Sequence, residues 1–388
     1  MSRDDAEAGQ SRPLVALWTA RGRGAVATIR LRADVRRWKG IDSLAFRAAN
    51  GRPLRDQPTG RVVFGQWGND AVEEIVVCLI DDQTLEIHCH GGEAAASRIL
   101  GECAQAGCHV VTWNEMVRFA QGVFEAELLE ALSRATTLRT AEILLEQSNG
   151  LLRAELESLA HESDGEQLVA RIAALLRWAD FGLHLTRPWK VVLAGRPNVG
   201  KSSLTNALLG YTRSIVFDQP GTTRDVVTAT TAIDGWPIEF SDTAGLREGS
   251  EPLEAAGIER ARGALAQADL AILLIDISQP ASNEDRALLT ALPTAIVVAH
   301  KCDLPQCVGP DAWNADAAMK WLPVSSKTGD GVDLLLQAIS KRLVPESPPA
   351  STPLPVTERQ VSLLREAAEA ARGGGLSNCR DVIGRILH

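Results

Sequence analysis

The sequence predicts a multidomain chain of α/β plus α class. An N-terminal α+β domain is followed by a helical domain, into which a doubly wound, mostly parallel α/β domain is inserted. Three observations predict it. Short apolar runs resembling half-buried strands fill the first 90 residues. Helical periodicity flanks a central stretch on both sides. That stretch, 188–343, alternates strand and helix and opens on the pattern GxxxxGKS.

Residues 1–12 are polar and charged and are expected to be disordered. Domain one is placed at 13–118. Its strands are read in "LVALWTA" and "AVATIRLR", joined by the Gly-rich turn "RGRG", and in "RVVFGQW", "EEIVVCLI" and "TLEIHCH"; a helix, "AAASRILGECAQAG", follows. From Phe119 the pattern turns helical, and 119–187 is read as the first part of a helical domain. Leu168, Ile172, Leu175 and Ala179 repeat at helical spacing and should face a core. The inserted domain takes 188–343. "VPESPPASTPLPV" (344–356) holds five prolines, cannot be a regular element, and is read as a linker. Thr357 and Gln360 form a capping-box pattern before a closing helical part at 357–388, interrupted by "GGG" at 373–375.

A net charge of −9 argues against a protein that coats nucleic acid non-specifically. Residues 1–61 nevertheless carry 13 Lys and Arg against 6 Asp and Glu, more simply a solvated basic surface than a dedicated RNA site. Seven cysteines are scattered without a CxxC pair. No apolar run approaches the roughly 18 residues of a membrane span, and Met1–Pro13 has no signal-peptide pattern. A reducing, cytoplasmic compartment is expected.

"GRPNVGKS" (195–202) lies between the strand "WKVVLAG" and the helix "SSLTNALLG", the context in which such a loop wraps phosphates. Asn198, Val199, Gly200, Lys201, Ser202 and Ser203 are the phosphate-side candidates. Lys201 supplies charge to the β and γ phosphates, and Ser202 a hydroxyl for Mg²⁺. Three partners follow in order. "GTTRD" offers Thr222 and Thr223, with Thr223 the second Mg²⁺ ligand. "DTAG" places Asp242 to hold Mg²⁺ through water, and Gly245 to pivot toward a γ-phosphate.

Base choice falls to "HKCD" (300–303) and "SSK" (325–327). Asp303 can accept both donors of guanine's Watson–Crick edge, which adenine cannot supply. The stem of Lys301 can flank the base, and a backbone N–H among Ser325, Ser326 and Lys327 can meet guanine O6. This domain therefore reads as a P-loop GTPase domain. His300 stands where an Asn would both donate to the base and tie neighbouring loops. A His reaches differently, so weaker GTP affinity with retained specificity is expected, alongside the reading that His300 only packs.

Leu246 follows Gly245 where a water-orienting Gln would sit, so another group must orient the attacking water. Glu254, twelve residues past Asp242, can do so, although Glu248 and Glu251 compete with it. Asn198 can help bind a monovalent cation together with carbonyls of the loop before "GTT".

The stretches "GRPNVGKSSLTNALLG", "DQPGTTRDVV", "DTAGLREGSEPLEAAGIERA", "RGRGAVATIR", "LEIHCHGG" and "ATTLRTAEILLEQSNGLLRAEL" resemble the MnmE (TrmE) family of tRNA modification GTPases, in that family's order. The resemblance implies a K⁺-stimulated GTPase, with Asn198 and the carbonyls of Phe217, Gln219 and Thr222 on K⁺ and Glu254 orienting water. It implies a homodimer, a tetrahydrofolate one-carbon donor bound near Arg23, His88 and His90, and an FAD-containing partner of the MnmG (GidA) type. Together these attach an aminomethyl or carboxymethylaminomethyl group to C5 of the wobble uridine in tRNA. His88 and His90 share one face of a strand and Cys89 points away, so a buried or folate-adjacent pair is favoured over a metal cluster.

This chain departs from the family at three further places. The family's Cys-containing tail is not matched by "DVIGRILH", and Cys379 is no equivalent. The helical domain is shorter. "WNEMVRF" replaces the segment expected near residue 114, which puts the folate site in doubt. A divergent or shortened member is implied. Two alternatives stand beside the modification enzyme: a GTPase switch or scaffold without the modification chemistry, and a ribosome-assembly GTPase of the Der (EngA) type. The latter carries two GTPase domains, where this chain has one.

Overall fold

A computed structural model describes residues 12–20, 22, 24–69, 72–211, 228–242, 263, 265–307 and 321–388, without the side chains of Thr228 and Asp242. The chain divides into two compact units, 1–126 and 127–388.

In the first unit, seven strands form one sheet: β1 (Leu14–Leu17), β2 (Val26–Arg32), β3 (Phe46–Ala48), β4 (Val62–Trp67), β5 (Glu73–Asp81), β6 (Thr84–His90) and β7 (His109–Val110), in the order β3-β4-β5-β6-β2-β1-β7. Every pairing is antiparallel except β1 with β7. The strand expected in "RVVFGQW" forms, and it alternates: Val63, Gly65 and Trp67 of β4 face inward while Val62, Phe64 and Gln66 face outward. Helix α1 (Glu93–Gln105) contributes Ala96, Ile99 and Cys103 to the core, packed with Ile29, Leu31, Leu85 and Ile87. Strands β3 and β7, three and two residues long, carry too little pattern to be read from sequence.

Helix α2 (Trp113–Gln121) starts earlier than the expected helical onset at Phe119. Thr112 and Glu115 close a reciprocal capping box at its N-terminus, a T-x-x-E signal in the sequence that had gone unread. Met116 packs on Leu14 and Ala16 of β1, so burial draws this helix into the first unit. The boundary at 126 lies inside α3 (Val123–Ser133), not at 118.

The second unit begins with helices α4 (Leu138–Ser148), α5 (Leu151–His161), α6 (Gly165–Arg177) and α7 (Ala179–His184). Leu168, Ile172, Leu175 and Ala179 are all buried, but the helix breaks at Trp178, so Ala179 opens α7. Among the described residues a six-stranded sheet follows: β8 (Trp189–Ala194), β9 (Thr228–Ile233), β10 (Trp236–Asp242), β11 (Leu270–Asp276), β12 (Ile296–His300) and β13 (Trp321–Val324), ordered β13-β12-β11-β8-β10-β9. All pairs are parallel except β9 with β10. That hairpin turns on Asp234 and Gly235, at φ 51° and 77°, the pair of left-handed residues that a tight Asp-Gly turn needs. Helices α8 (Lys201–Tyr211), α9 (Asn283–Ala291) and α10 (Val332–Leu343) accompany the sheet.

Residues 344–356 form no regular element, but they are more than a linker: Leu354 and Val356 are buried. Fully buried Gln147 of α4 donates to Thr352 O at 3.2 Å and accepts from Leu354 N at 3.3 Å, pinning the strap. Helix α11 (Glu358–Arg372) then packs on α6, and α12 (Leu376–Leu387) on α5. Helices from both sides of the α/β segment thus meet. Thr357 caps α11 by accepting from Gln360 N, but the Gln360 side chain accepts from Val356 N instead of closing the expected box. Among the described residues no helix is long and apolar enough to cross a membrane.

Candidate nucleotide site

The loop between β8 and α8 carries the phosphate-side residues, at the carboxyl edge of the parallel strands, where such sheets bind ligands. Gly195, Asn198 and Gly200 have φ of 146°, 61° and 104°. A Cβ at Gly195 would lie 2.7 Å from Leu274 O, and one at Gly200 2.5 Å from Cε1 of His300. Glycine is required at both places for reasons of space as well as backbone. The resulting cradle, opening onto a helix N-terminus, fits a nucleotide polyphosphate. Lys201 is buried, and its Nζ donates to Gly195 O at 3.0 Å and Arg196 O at 2.9 Å, which holds the ammonium beside the loop. Ser202 and Ser203 are exposed at the start of α8. The Ser202 hydroxyl is a hard oxygen donor of the kind Mg²⁺ takes, and Mg²⁺ there would neutralise phosphate charge.

Asp242 ends β10, in register with Leu193 of β8. The candidates Arg23, Phe217, Gln219, Thr222, Thr223, Gly245 and Glu254 lie outside the described residues.

The base-side loops follow β12 and β13. His300 is 3 % exposed and uses both ring nitrogens: Nδ1 lies 2.7 Å from Val199 O and Nε2 2.6 Å from Ser326 Oγ. A carbonyl only accepts, so Nδ1 carries the proton and, in the neutral ring, Nε2 accepts from the Ser326 hydroxyl. His300 therefore ties the phosphate loop to the "SSK" loop. Burial, the largest influence, lowers its pKa; the Lys301 charge acts the same way, while the Val199 hydrogen bond and the charges of Asp276 and Asp303 oppose.

Lys301, at φ 63°, donates from Nζ to Asp276 Oδ2 at 2.6 Å and to Asn198 O at 3.4 Å. Asp276 ends β11 and also accepts from Ser278 N and Oγ. Burial is the largest single influence on its carboxyl and opposes ionisation, but the hydrogen bonds from Lys301 and Ser278 outweigh it and hold the pKa low. Asp303 is exposed, its carboxyl held low by the Ser325 hydroxyl, with Lys327 and His300 assisting. Ser325 is fully buried, and its Oγ accepts from the N–H groups of Lys327 and Thr328, which shapes this loop.

Two supporting residues went unread in the sequence. Arg196 Nε donates to fully buried Asp285 at 2.9 Å, and Asp285 closes a capping box with Ser282 at the start of α9. The S-x-x-D spacing at 282–285 was a legible signal for the cap but not for the arginine. Asp276, the partner of Lys301, had no local signal beyond ending an apolar strand.

On β6 the histidines are not a buried pair. The His90 side chain is 75 % exposed, with Nδ1 3.1 Å from Glu73, because it sits at the strand's end. His88 is half-buried, beside Thr28 Oγ1 at 3.1 Å and Glu86 at 3.4 Å, and Cys89 points into the core. Among the described residues no three His, Cys, Asp or Glu side chains converge as a metal site. Cys379 is fully buried on α12, where burial pushes its thiol pKa up.

Comparison with known proteins adds an independent line. The family described as 50S ribosome-binding GTPase matches residues 190–301. The tRNA modification GTPase MnmE of Chloroflexus aurantiacus is 34% identical over 406 residues, covering 92% of this chain and 88% of its own length. The MnmE of Thermus thermophilus is 31% identical, covering 97% and 92%. Among solved structures, the G domain of the T. maritima FeoB iron transporter is 30% identical over 40% of this chain and 99% of its own, with a TM-score of 0.29.

Proposed function

The chain belongs to the family of the tRNA modification GTPase MnmE and is a GTP hydrolase of tRNA modification, and on that premise we propose a K⁺-stimulated GTPase cycle coupled to C5 modification of the wobble uridine. The observation that carries the nucleotide reading is the convergence of the cradle at 195–202 with His300, Lys301, Asp303 and the 325–327 loop at one sheet edge.

In this reading Lys201 and the backbone N–H groups of Val199, Gly200, Ser202 and Ser203 bind the phosphates, and Asp303 reads the base. Ser202, Thr223 and, through water, Asp242 hold Mg²⁺. Asn198, whose left-handed backbone sits in the loop, holds K⁺ with carbonyls of Phe217, Gln219 and Thr222; K⁺ supplies positive charge against the phosphates. Glu254 orients the attacking water and Gly245 follows the γ-phosphate.

The proposed layout is an N-terminal domain that dimerises and takes a tetrahydrofolate-type donor near Arg23, His88 and His90. A helical domain, beginning after the unit boundary at 126 rather than at 119, runs to 187, resumes at 357–388 and carries the GTPase domain at 188–343. The partners are an FAD-containing MnmG-type protein and tRNA, in the cytoplasm. The ribosome-assembly alternative draws only on the family match at 190–301, whereas relatives of the modification type cover 92% of the chain.

The test is mass spectrometry of wobble nucleosides in tRNA from a modification-deficient bacterium expressing this chain with its own partner. Restored C5-modified uridine is the expected result. Bare uridine with intact GTP hydrolysis would favour the switch or scaffold. In purified protein, KCl should stimulate hydrolysis over NaCl. Asn198→Ala should remove that stimulation, and Glu254→Ala should slow hydrolysis by about 10²-fold. Equal rates in the two salts would remove the K⁺ reading.

A further inference from the structure

Guanine presents two acceptors on one edge, O6 and N7. A side chain at the end of β12 can reach that edge only if it has a donor to spare. His300 has none. Nδ1–H is spent on Val199 O, and Nε2 faces Ser326 Oγ at 2.6 Å. In the neutral ring Nε2 accepts from the hydroxyl; in the charged ring it donates to it. Both nitrogens are occupied by protein in either state. The ring cannot easily turn to free one, because it is 3 % exposed and packs against Gly200, where even a Cβ would lie 2.5 Å from Cε1. The Ser326 hydroxyl proton is committed to the same contact in the neutral ring.

We propose that His300 is a specificity-determining residue that braces two loops and withholds a hydrogen bond from guanine N7, so that the site also takes 7-deazaguanine nucleotides, in which N7 is a C–H group. The base is read on its Watson–Crick edge by Asp303, and His300 offers nothing to its N7. This inference rests on the guanine-nucleotide reading of the site.

The experiment is isothermal titration of the full chain with GDP, 7-deaza-GDP and ADP in Mg²⁺. GDP and 7-deaza-GDP should bind within about 2-fold of each other, and ADP about 100-fold or more weaker, because Asp303 finds no matching donors on adenine. His300→Asn supplies an amide donor and should make GDP preferred over 7-deaza-GDP by about 5- to 10-fold, the worth of one net hydrogen bond. A purely structural role for His300 would weaken both ligands together and leave their ratio unmoved. Preference of the unmutated chain for GDP over 7-deaza-GDP by about 5-fold or more would overturn the inference while leaving the guanine site standing. Equal binding of GDP and ADP, or failure of GDP to bind, would overturn the nucleotide reading and the inference with it.

Discussion

The Arg139 guanidinium lies over the Trp236 ring, 4.1 Å from its centroid, and donates to Asp234 O at 2.8 Å. Thr137, the cap of α4, donates to Gly235 O at 2.7 Å, and Phe181 of α7 meets Trp236 edge-on at 5.3 Å. The turn of the β9–β10 hairpin is thus held by the helices, while β10 runs on into Asp242 of the "DTAG" segment. Replacing Arg139 with Ala should lower the unfolding free energy by about 1–2 kcal/mol, summing one partly exposed cation–π contact, the hydrogen bond to Asp234 O and a weak exposed ion pair to its carboxylate. Urea denaturation reads this directly, and an unchanged midpoint would show that the contact contributes nothing.

Asp285 is fully buried and serves Arg196 and the α9 cap at once. Asp285→Ala should destabilise the protein by about 2–4 kcal/mol, because it removes the α9 capping box and leaves the half-buried Arg196 guanidinium without its partner. It should also weaken GDP binding, since the phosphate loop loses its anchor. Arg196→Ala keeps the Ser282 contacts but leaves the fully buried Asp285 carboxylate without its cation, so it should cost no less stability while weakening GDP comparably. Thermal unfolding and calorimetry separate the two effects.

A folded-state pKa of His300 below its ordinary 6.5 gives a signed pH dependence. The unfolded chain binds the proton more readily, so stability is fully present above about pH 6.5 and falls as the pH drops below it. Asp276, held below 3.8, adds its own loss only in the more acidic range. Denaturation between pH 7 and 5 should show a decline that His300→Asn flattens. An identical slope in both proteins would remove His300 as its source.

Gln147→Leu should cost about 2–4 kcal/mol, since it leaves the buried Leu354 N–H without an acceptor and Thr352 O without a donor. Proteolysis within 344–356 should accelerate in parallel. Unchanged cleavage would mean that the strap is held by Leu354 and Val356 alone.

The sequence by itself determined whatever depends on neighbours along the chain. A strand, a glycine-shaped turn and a helix N-terminus within 189–211 are contiguous, so the phosphate loop could be read in full. The same holds for the strand at 62–67, and for Asp303 beside Lys301. Tertiary structure decided the rest. His300 presented two readings until Val199, 101 positions away, and Ser326 claimed its nitrogens. Asp276 and Asp285 gained their roles from Lys301 and Arg196, 25 and 89 positions away. The proline-rich segment became a buried strap through Gln147, 205 positions away from Thr352. Helix α2 went to the first unit because β1 had an apolar face for Met116 to cover. Local hydrogen-bond geometry is written in spacing, but the partner of a buried polar group is chosen by which distant element the core brings against it.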